Sequence, residues 1–359
     1  GSSSLTAQVA VSATLTAFLY EAFSYNVVFL GRILPALGEE DNSNTLLILF
    51  NVTWGMALWS YIRVSWADPG TLPGEWHEFV RRVGVSLPIS PGLKQWQPGQ
   101  ATMCRRCSLP RPERAHHCNV CGVCVLRLDH HCPWINNCVG WANHKFFLQT
   151  CFYSWLACLI AVGTSLPQLV HCARSLRQVA HGQPGTIGLR PTDELSFLVS
   201  CFLAMLVTVF LSPLLFMQIG LAFGNRTTIE DNYAPSADMP GNPFDQGNIC
   251  ANLVQIFGSF GLDWLFPVTP WSRLFDGMAF PSRTWERLGL DGRQIFPDGL
   301  DLDTEGFLNG NKYGLDKLDG EELWRYHYRV PEVAYAEGGD KPGPFDYMMG
   351  CMMPERHMA

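Results

Sequence analysis

Residues 104–138 read CRRCSLPRPERAHHCNVCGVCVLRLDHHCPWINNC, and the character of the whole chain follows from them. Seven of the thirteen cysteines lie here, beside four histidines. A secreted disulfide scaffold spreads its cysteines, whereas this density indicates metal chemistry in a reducing compartment. Zinc takes four tetrahedral nitrogen and sulfur ligands, and a Cys-x2-Cys spacing lets two thiolates reach one ion. Two closed sites need about eight ligands. Eleven candidates are present, so some have other work. Six cysteines and two histidines would close both sites and leave one cysteine over. A spare thiol on such a scaffold, next to Asp129 and His130, is a candidate nucleophile. A histidine takes the thiol proton, and a carboxylate orients that histidine. Spacing alone does not identify the spare cysteine; the adjacent Asp129-His130 favours Cys132.

The flanks of this stretch are strongly apolar. Residues 45–66 carry a single charge, Arg63, while residues 146–170 and 195–223 carry none. About 20 residues cross a bilayer core as a helix, so each run is long enough to span. Pro167 and Pro213 would break a soluble helix but are tolerated in membranes. Residues 5–30 form a weaker run containing Gln8, Glu21 and Asn26. They read as a first span, because the basic start of a signal peptide is missing. The opening Gly1-Ser2-Ser3-Ser4 has no methionine and reads as a trimmed or tag-derived start.

Four spans put both ends of the chain and the loop between spans two and three on one side. That loop, residues 67–145, holds nine Lys and Arg, against one in residues 31–44 and three in residues 171–194. Excess basic residues mark the cytoplasmic face, so the cysteine cluster and both termini are expected in the cytosol.

Of the 359 residues, 47% are hydrophobic and 16% charged, below the roughly 25% typical of soluble domains. Disordered and collagenous classes are excluded. The net charge of −7 resides in residues 298–359, where thirteen acidic side chains face six basic ones. The remainder is balanced, and nothing argues for nucleic acid as a partner.

The cluster and its surroundings resemble the DHHC family of protein S-acyltransferases, the palmitoyltransferases. The motifs are Asp129-His130-His131-Cys132-Pro133-Trp134, then Asn137-Cys138-Val139-Gly140, Asn143 and Phe147. Asp68-Pro69-Gly70 follows the second span and Thr227-Thr228-Ile229-Glu230 the fourth; Asn242-Pro243-Phe244 and Asn252 lie beyond. The resemblance implies an α-helical multi-pass membrane protein: spans one and two in 5–66, a cytosolic zinc-binding domain in 67–145, spans three and four in 146–223. C-terminal motifs would occupy 224–270 and an acidic tail 271–359. It implies two structural Zn²⁺ sites of the Cys3His type, Cys104, Cys107, His117 and Cys124 in one, Cys118, Cys121, His131 and Cys138 in the other. Cys132 is then unligated, with His130 as its base and Asp129 orienting His130.

The resemblance further implies a two-step transfer of a long-chain acyl group, palmitoyl, from acyl-CoA to Cys132 and on to membrane-proximal cysteines of protein substrates. Membrane lipids are partners, and endoplasmic reticulum or Golgi membranes the expected location. Trp134 is placed near the acyl carbonyl by resemblance, or is an interfacial tryptophan. Phe146, Phe147, Ala157, Leu206 and Leu214 are candidates to line the chain cavity, and the small Ala157 suggests depth for about sixteen carbons or more, at ~0.8 kcal/mol per buried methylene. Arg105, Arg106, Arg111 and Arg114 lie where CoA phosphates could sit. Thr228 would support the Asp129-His130 pair, Asn252 would anchor the C-terminal segment, and Phe244 would tuck into an apolar pocket. Leu253, Ile256, Phe257 and Phe260 form a helical apolar face, for the bilayer surface or for the protein itself.

The tail carries Asp301-x-Asp303-x-Glu305, which lacks the glycine and final glutamate of a calcium loop and reads as solvated. Trp324, Tyr326, Tyr328, Val330 and Val333 suggest a short packed element, a partner-binding or membrane-proximal strand. A scaffold without turnover and a zinc-dependent binding module are the rival classes. The intact Asp129, His130, Cys132 and Thr-Thr-x-Glu set argues against the first, and activity surviving Cys132→Ser would mark the second.

Overall fold

In the computed structural model, the described residues are 5–92, 94–186, 188–234, 241–271, 276–280, 282 and 320–330. The acidic stretch 298–319, with Asp301, Asp303 and Glu305, lies outside them, as do Val333 and Cys351. Among the described residues, four helices are long and apolar enough to cross a membrane: α1 (Leu5–Leu37), α2 (Ser43–Trp66), α4 (His144–Ala180) and α5 (Pro191–Phe223). All four expected runs are therefore helical. Two extend past their apolar stretch, because a helix stops where its backbone partners end rather than where hydropathy falls. In α1 the added turns pass through Pro35 and stop at Gly38, in the left-handed region at φ 71°. In α4 they carry His171, Arg174 and Arg177.

Helix α1 widens to π geometry over Ser24–Ile33. There the Asn26 side chain donates to the Ala22 carbonyl, and exchanges hydrogen bonds with Asn51 of α2 at 3.1 and 2.7 Å. Helix α4 packs along both α2 and α5. Exposed Ile48, Val52, Phe202, Val209, Phe210 and Phe216 lie on the outside of the bundle. Such a wall of apolar side chains suits a hydrocarbon solvent.

Between α2 and α4 the chain forms an amphipathic helix, α3 (Gly74–Val83), and seven short strands: β1 (Ile89–Ser90), β2 (Ala101–Cys104), β3 (Leu109–Arg111), β4 (His116–Cys118), β5 (Val123–Val125), β6 (His130–Cys132) and β7 (Asn137–Val139). Antiparallel hairpins β2–β3, β4–β5 and β6–β7 carry the cluster. The Asp-Pro-Gly motif fixes how this region leaves α2. Asp68 Oδ1 accepts from the Gly70 and Thr71 amides, and the Gly70 carbonyl accepts from Leu126 N–H. Gly140 packs so closely that a Cβ would lie 2.5 Å from the Pro69 carbonyl oxygen. Asn137 donates to the Ala67 carbonyl at 2.8 Å, and Asn143 donates to that of Cys138 at the same distance. The Asn-Cys-Val-Gly motif thus ties a hairpin to the end of a long helix.

Helix α6 (Ile249–Phe257) packs on the protein: buried Ile256, with Leu253 and Phe257, meets Leu148 and Ala222 at the ends of α4 and α5. Phe260 points outward, 84% exposed. The tail departs from expectation. Residues Gly320–His327 form a helix, α7, in place of a strand. Trp324 and Tyr328, four residues apart, present one helical face to Trp76 and Phe79 of α3. That contact lies within the chain.

Candidate active site

Hairpins β4–β5 and β6–β7 each join two ligands of one metal-ligating group. Across β4–β5, His117 pairs with Cys124; across β6–β7, His131 pairs with Cys138. Directly opposed residues on adjacent strands bring their side chains together. The other two ligands of each group come from an upstream Cys-x2-Cys turn. The Cys107 and Cys121 amides donate to the Cys104 and Cys118 sulfurs, both at 3.4 Å. The groups are Cys104, Cys107, His117 with Cys124, and Cys118, Cys121, His131 with Cys138. Hairpin β4–β5 therefore completes one group and starts the next.

Both groups fit zinc. A tetrahedron with Zn–S of about 2.3 Å and Zn–N of about 2.0 Å has N···S edges of roughly 3.5 Å. In the first group the His117 Nδ1 lies 3.6, 3.3 and 3.8 Å from the Cys104, Cys107 and Cys124 sulfurs. In the second, the His131 Nδ1 lies 3.7, 3.4 and 3.6 Å from those of Cys118, Cys121 and Cys138. Four protein donors close each group, which suits a structural ion.

Cys132 belongs to neither group. It is buried among Tyr61 and Val64 of α2, Phe146, Phe147 and Cys151 of α4, and Leu215 of α5, with Phe18 of α1 alongside. Side chains from all four long helices thus build the apolar cluster that holds Cys132. Two residues back, His130 Nδ1 lies 2.6 Å from Asp129 Oδ2, and the His130 ring stands edge-on to Phe147 at 5.1 Å. Burial alone would lower the His130 pKa, but the hydrogen bond to Asp129 and the Cys132 sulfur raise it to about 9. Burial alone would raise the Asp129 pKa; the His130 hydrogen bond, nearby histidine charge and the Thr228 amide hold it well below the carboxylate range.

Three further hydrogen bonds, from two residues, close around Asp129. The Thr228 amide donates to Oδ1 at 2.7 Å, its hydroxyl donates to the Asp129 carbonyl at 2.6 Å, and Gln218 Nε2 of α5 donates to Oδ2 at 3.2 Å. Thr228 is held by its neighbours: the Thr227 amide donates to Glu230 Oε2, and the Glu230 amide donates to the Thr227 hydroxyl. This reciprocal pairing is that of a capping box.

The remaining expected residues divide. Phe147 shares the buried cluster of Cys132, and Leu214 packs against that cluster; Ala157 packs in a separate cluster with Tyr25, Phe50 and Ala161. Ten residues of helix put Ala157 about 15 Å deeper than Phe147. Leu206 is exposed on the outside of the bundle and lines nothing near Cys132. Trp134 is 60% exposed, and its carbonyl accepts from the Tyr61 hydroxyl. Arg111 is half-buried and donates to the Thr102 hydroxyl at 2.8 Å. It lines a cleft with Trp96, His116 and Tyr233 that does not include Cys132.

Arg114 departs from the expected phosphate contact. It is buried and bidentate to Glu230, with both bonds at 2.7 Å, and stacks on Phe244 and Phe280. Its donors are consumed inside the protein. Phe244 occupies the expected apolar pocket, with Trp96 and Phe280. Asn252 donates to the Phe223 carbonyl at the end of α5 and to Asp245, both at 2.7 Å.

Gln218, Arg127 and His144 were not singled out by sequence reasoning. A signal existed for Gln218, the sole amide in the uncharged run 195–223.

A family model described as DHHC palmitoyltransferase matches residues 97–233. "Probable protein S-acyltransferase 14" of Arabidopsis thaliana is 35% identical over 256 residues, 68% of this chain and 80% of its own length. "Palmitoyltransferase ZDHHC15A" of Danio rerio is 31% identical over 294 residues, 76% and 84% respectively. "Palmitoyltransferase ZDHHC2" of Homo sapiens is 34% identical over 281 residues, 72% of each chain. The chain belongs to the DHHC palmitoyltransferase family.

Proposed function

We propose that this protein is an S-acyltransferase in which Cys132 carries a long-chain acyl group from acyl-CoA to cysteine thiols of other proteins. The observation that carries the reading is the position of Cys132. Its side chain is outside both metal groups, interacts with His130 of the Asp129–His130 pair, and sits in an apolar cluster to which all four long helices contribute. An acyl thioester joins an apolar chain to a charged nucleotide, so a thiol at the head of an apolar bundle meets it at its reactive carbon.

In the first step His130 takes the Cys132 proton and the sulfur attacks the thioester carbonyl. The carbon–sulfur bond to CoA breaks, the CoA thiolate leaves with a proton from His130, and acyl-Cys132 remains. In the second step His130 takes the proton of an incoming cysteine thiol, whose sulfur attacks acyl-Cys132; Cys132 leaves and is reprotonated. Asp129 keeps the His130 ring oriented and stabilises its charged form. Phe147, Tyr61, Leu214 and Leu215 receive the start of the acyl chain, and Ala157 lies toward its far end. Trp134 borders the acyl carbonyl.

Zinc in the two groups would brace the hairpins that present His130 and Cys132, and takes no part in the transfer. Arg111, with exposed Arg105 and Arg106, is the candidate for CoA phosphate. We place residues 67–145, both termini and the acidic tail in the cytosol on the Lys and Arg excess, in endoplasmic reticulum or Golgi membranes. The domain limits follow the same division: 5–66, 67–145, 146–223, 224–270 and 271–359.

The test is turnover. The purified chain should move the acyl group of palmitoyl-CoA onto a cysteine of a lipid-anchored peptide, and Cys132→Ala should release no CoA above background. Transfer that persists in Cys132→Ala would overturn the reading.

A further inference from the structure

A chain of buried polar groups ends on the Asp129 oxygen that holds His130. It begins at Arg127, which is wholly buried between β5 and β6. Arg127 Nη1 donates to His144 Nδ1 at 3.0 Å, and Nη2 donates to Asn225 Oδ1 at 3.1 Å. A guanidinium has no acceptor, so His144 Nδ1 must offer its lone pair and the ring hydrogen sits on Nε2. His144 Nε2 and Gln218 Oε1 are each buried without a formed hydrogen bond, and the two side chains interact. On its other side, Gln218 donates through Nε2 to Asp129 Oδ2, the oxygen facing His130 Nδ1.

The order of donors along this chain leaves one arrangement. Ionised Asp129 only accepts, so the Gln218 NH₂ must face it. The Gln218 oxygen then faces the His144 Nε2 hydrogen, whose position Arg127 has fixed. A buried amide in an apolar helix costs free energy unless it is hydrogen-bonded, and Gln218 is 1% exposed. Thr228 serves Oδ1 and Gln218 serves Oδ2, so the carboxylate is gripped at both oxygens and its plane is set.

We infer that Gln218 is a positioning residue for acyl transfer: it fixes the Asp129 carboxylate, and through it the His130 ring beside Cys132, while Arg127 and His144 set the direction of the Gln218 amide. This rests on the reading of Cys132 and His130 as the reacting pair. Gln218 touches neither the thioester nor the metal groups, so its loss acts on the rate of acylation and not on acyl-CoA binding.

The experiment is single-turnover acylation of the full chain with palmitoyl-CoA, with zinc content measured in parallel. Gln218→Met keeps the length of the side chain and removes the donor. Its acylation rate constant should fall roughly tenfold or more, the range in which misplacement of a reacting group is felt. Half-saturating palmitoyl-CoA should change less than about two-fold, and zinc should be unchanged. His144→Leu should show part of the same fall, and His144→Gln, which keeps a donor, should restore most of it.

Gln218→Met and His144→Leu together should be no slower than Gln218→Met alone, because they act through one contact. A Gln218→Met protein that acylates at the unmodified rate, or whose rate falls in step with zinc content or affinity, overturns the inference. If Gln218→Met does not fold, equal rates for His144→Leu and His144→Gln overturn it. An unmodified chain labelled no better than Cys132→Ser overturns the parent reading as well.

Discussion

Thr228 holds Asp129 at two points: its amide donates to Oδ1 at 2.7 Å and its hydroxyl donates to the Asp129 carbonyl at 2.6 Å. The two residues lie 99 positions apart, on opposite sides of two long helices. A segment after the last long helix therefore sets the backbone and the carboxylate of the residue preceding His130. That is a physical reason for Thr-Thr-x-Glu and Asp-His-His-Cys to occur in one chain.

Thr228→Val removes the hydroxyl and keeps the amide. A hydrogen bond of this kind contributes about 0.5–1.5 kcal/mol. Acyl-enzyme formation should slow several-fold while zinc content stays at the unmodified level. Stopped-time acylation assays beside metal analysis check this, and an unchanged rate would detach Thr228 from the chemistry.

Arg114 and Glu230 form a buried bidentate pair. Removing one partner of such a pair costs about 3–5 kcal/mol, because the other charge is left buried. Arg114→Met should lower thermal stability in detergent sharply. Arg114→Lys should not rescue it, since a lysine ammonium has no planar fork. Glu230→Gln added to Arg114→Met should recover part of the loss. Palmitoyl-CoA affinity of whatever protein remains folded should be unaltered, the opposite of what a phosphate contact would give.

Metal analysis should find two zinc ions per chain, read as the ratio of zinc to protein. Cys107→Ser should remove one ion and Cys121→Ser the other, each with loss of acylation. Cys132→Ser should keep both. A third outcome, loss of zinc in Cys132→Ser, would mean that this sulfur is a ligand.

Much of this was legible in the sequence because it is local. Apolar runs of at least about 20 residues with no more than one charge each predicted all four long helices, Cys-x2-Cys spacings predicted metal binding, and the family resemblance implied how the ligands divide into two groups. The failures are of another kind. Arg114 read as a free cation because its partner, Glu230, is 116 residues away. Leu206 read as cavity lining because apolar content does not tell a lipid-facing side from an inner one. The tail element read as a short packed strand from Trp324, Tyr326, Tyr328, Val330 and Val333; the partners of its packing, Trp76 and Phe79, favour the helical spacing of Trp324 and Tyr328 instead. Gln218 was lost in an apolar run whose hydropathy it barely alters.

That tail contact is itself testable. Trp324→Ala empties a buried site against Trp76 and Phe79, and truncation of this kind costs about 3–5 kcal/mol in a well-packed core. Limited proteolysis should then cut within residues 74–87 faster than in the unmodified chain, while the metal content stays at two. An unchanged cleavage rate would show that the tail helix contributes nothing to the packing of α3.

The central claim is that the Cys132 sulfur is free of metal and becomes acylated. Intact-protein and peptide mass spectrometry after brief exposure to palmitoyl-CoA tests it most directly. The account predicts one hydroxylamine-labile palmitoyl group on the peptide containing Cys132, with both zinc ions retained. A palmitoyl group found only on other cysteines, or an unmodified Cys132 in a chain that still transfers acyl groups, would contradict it.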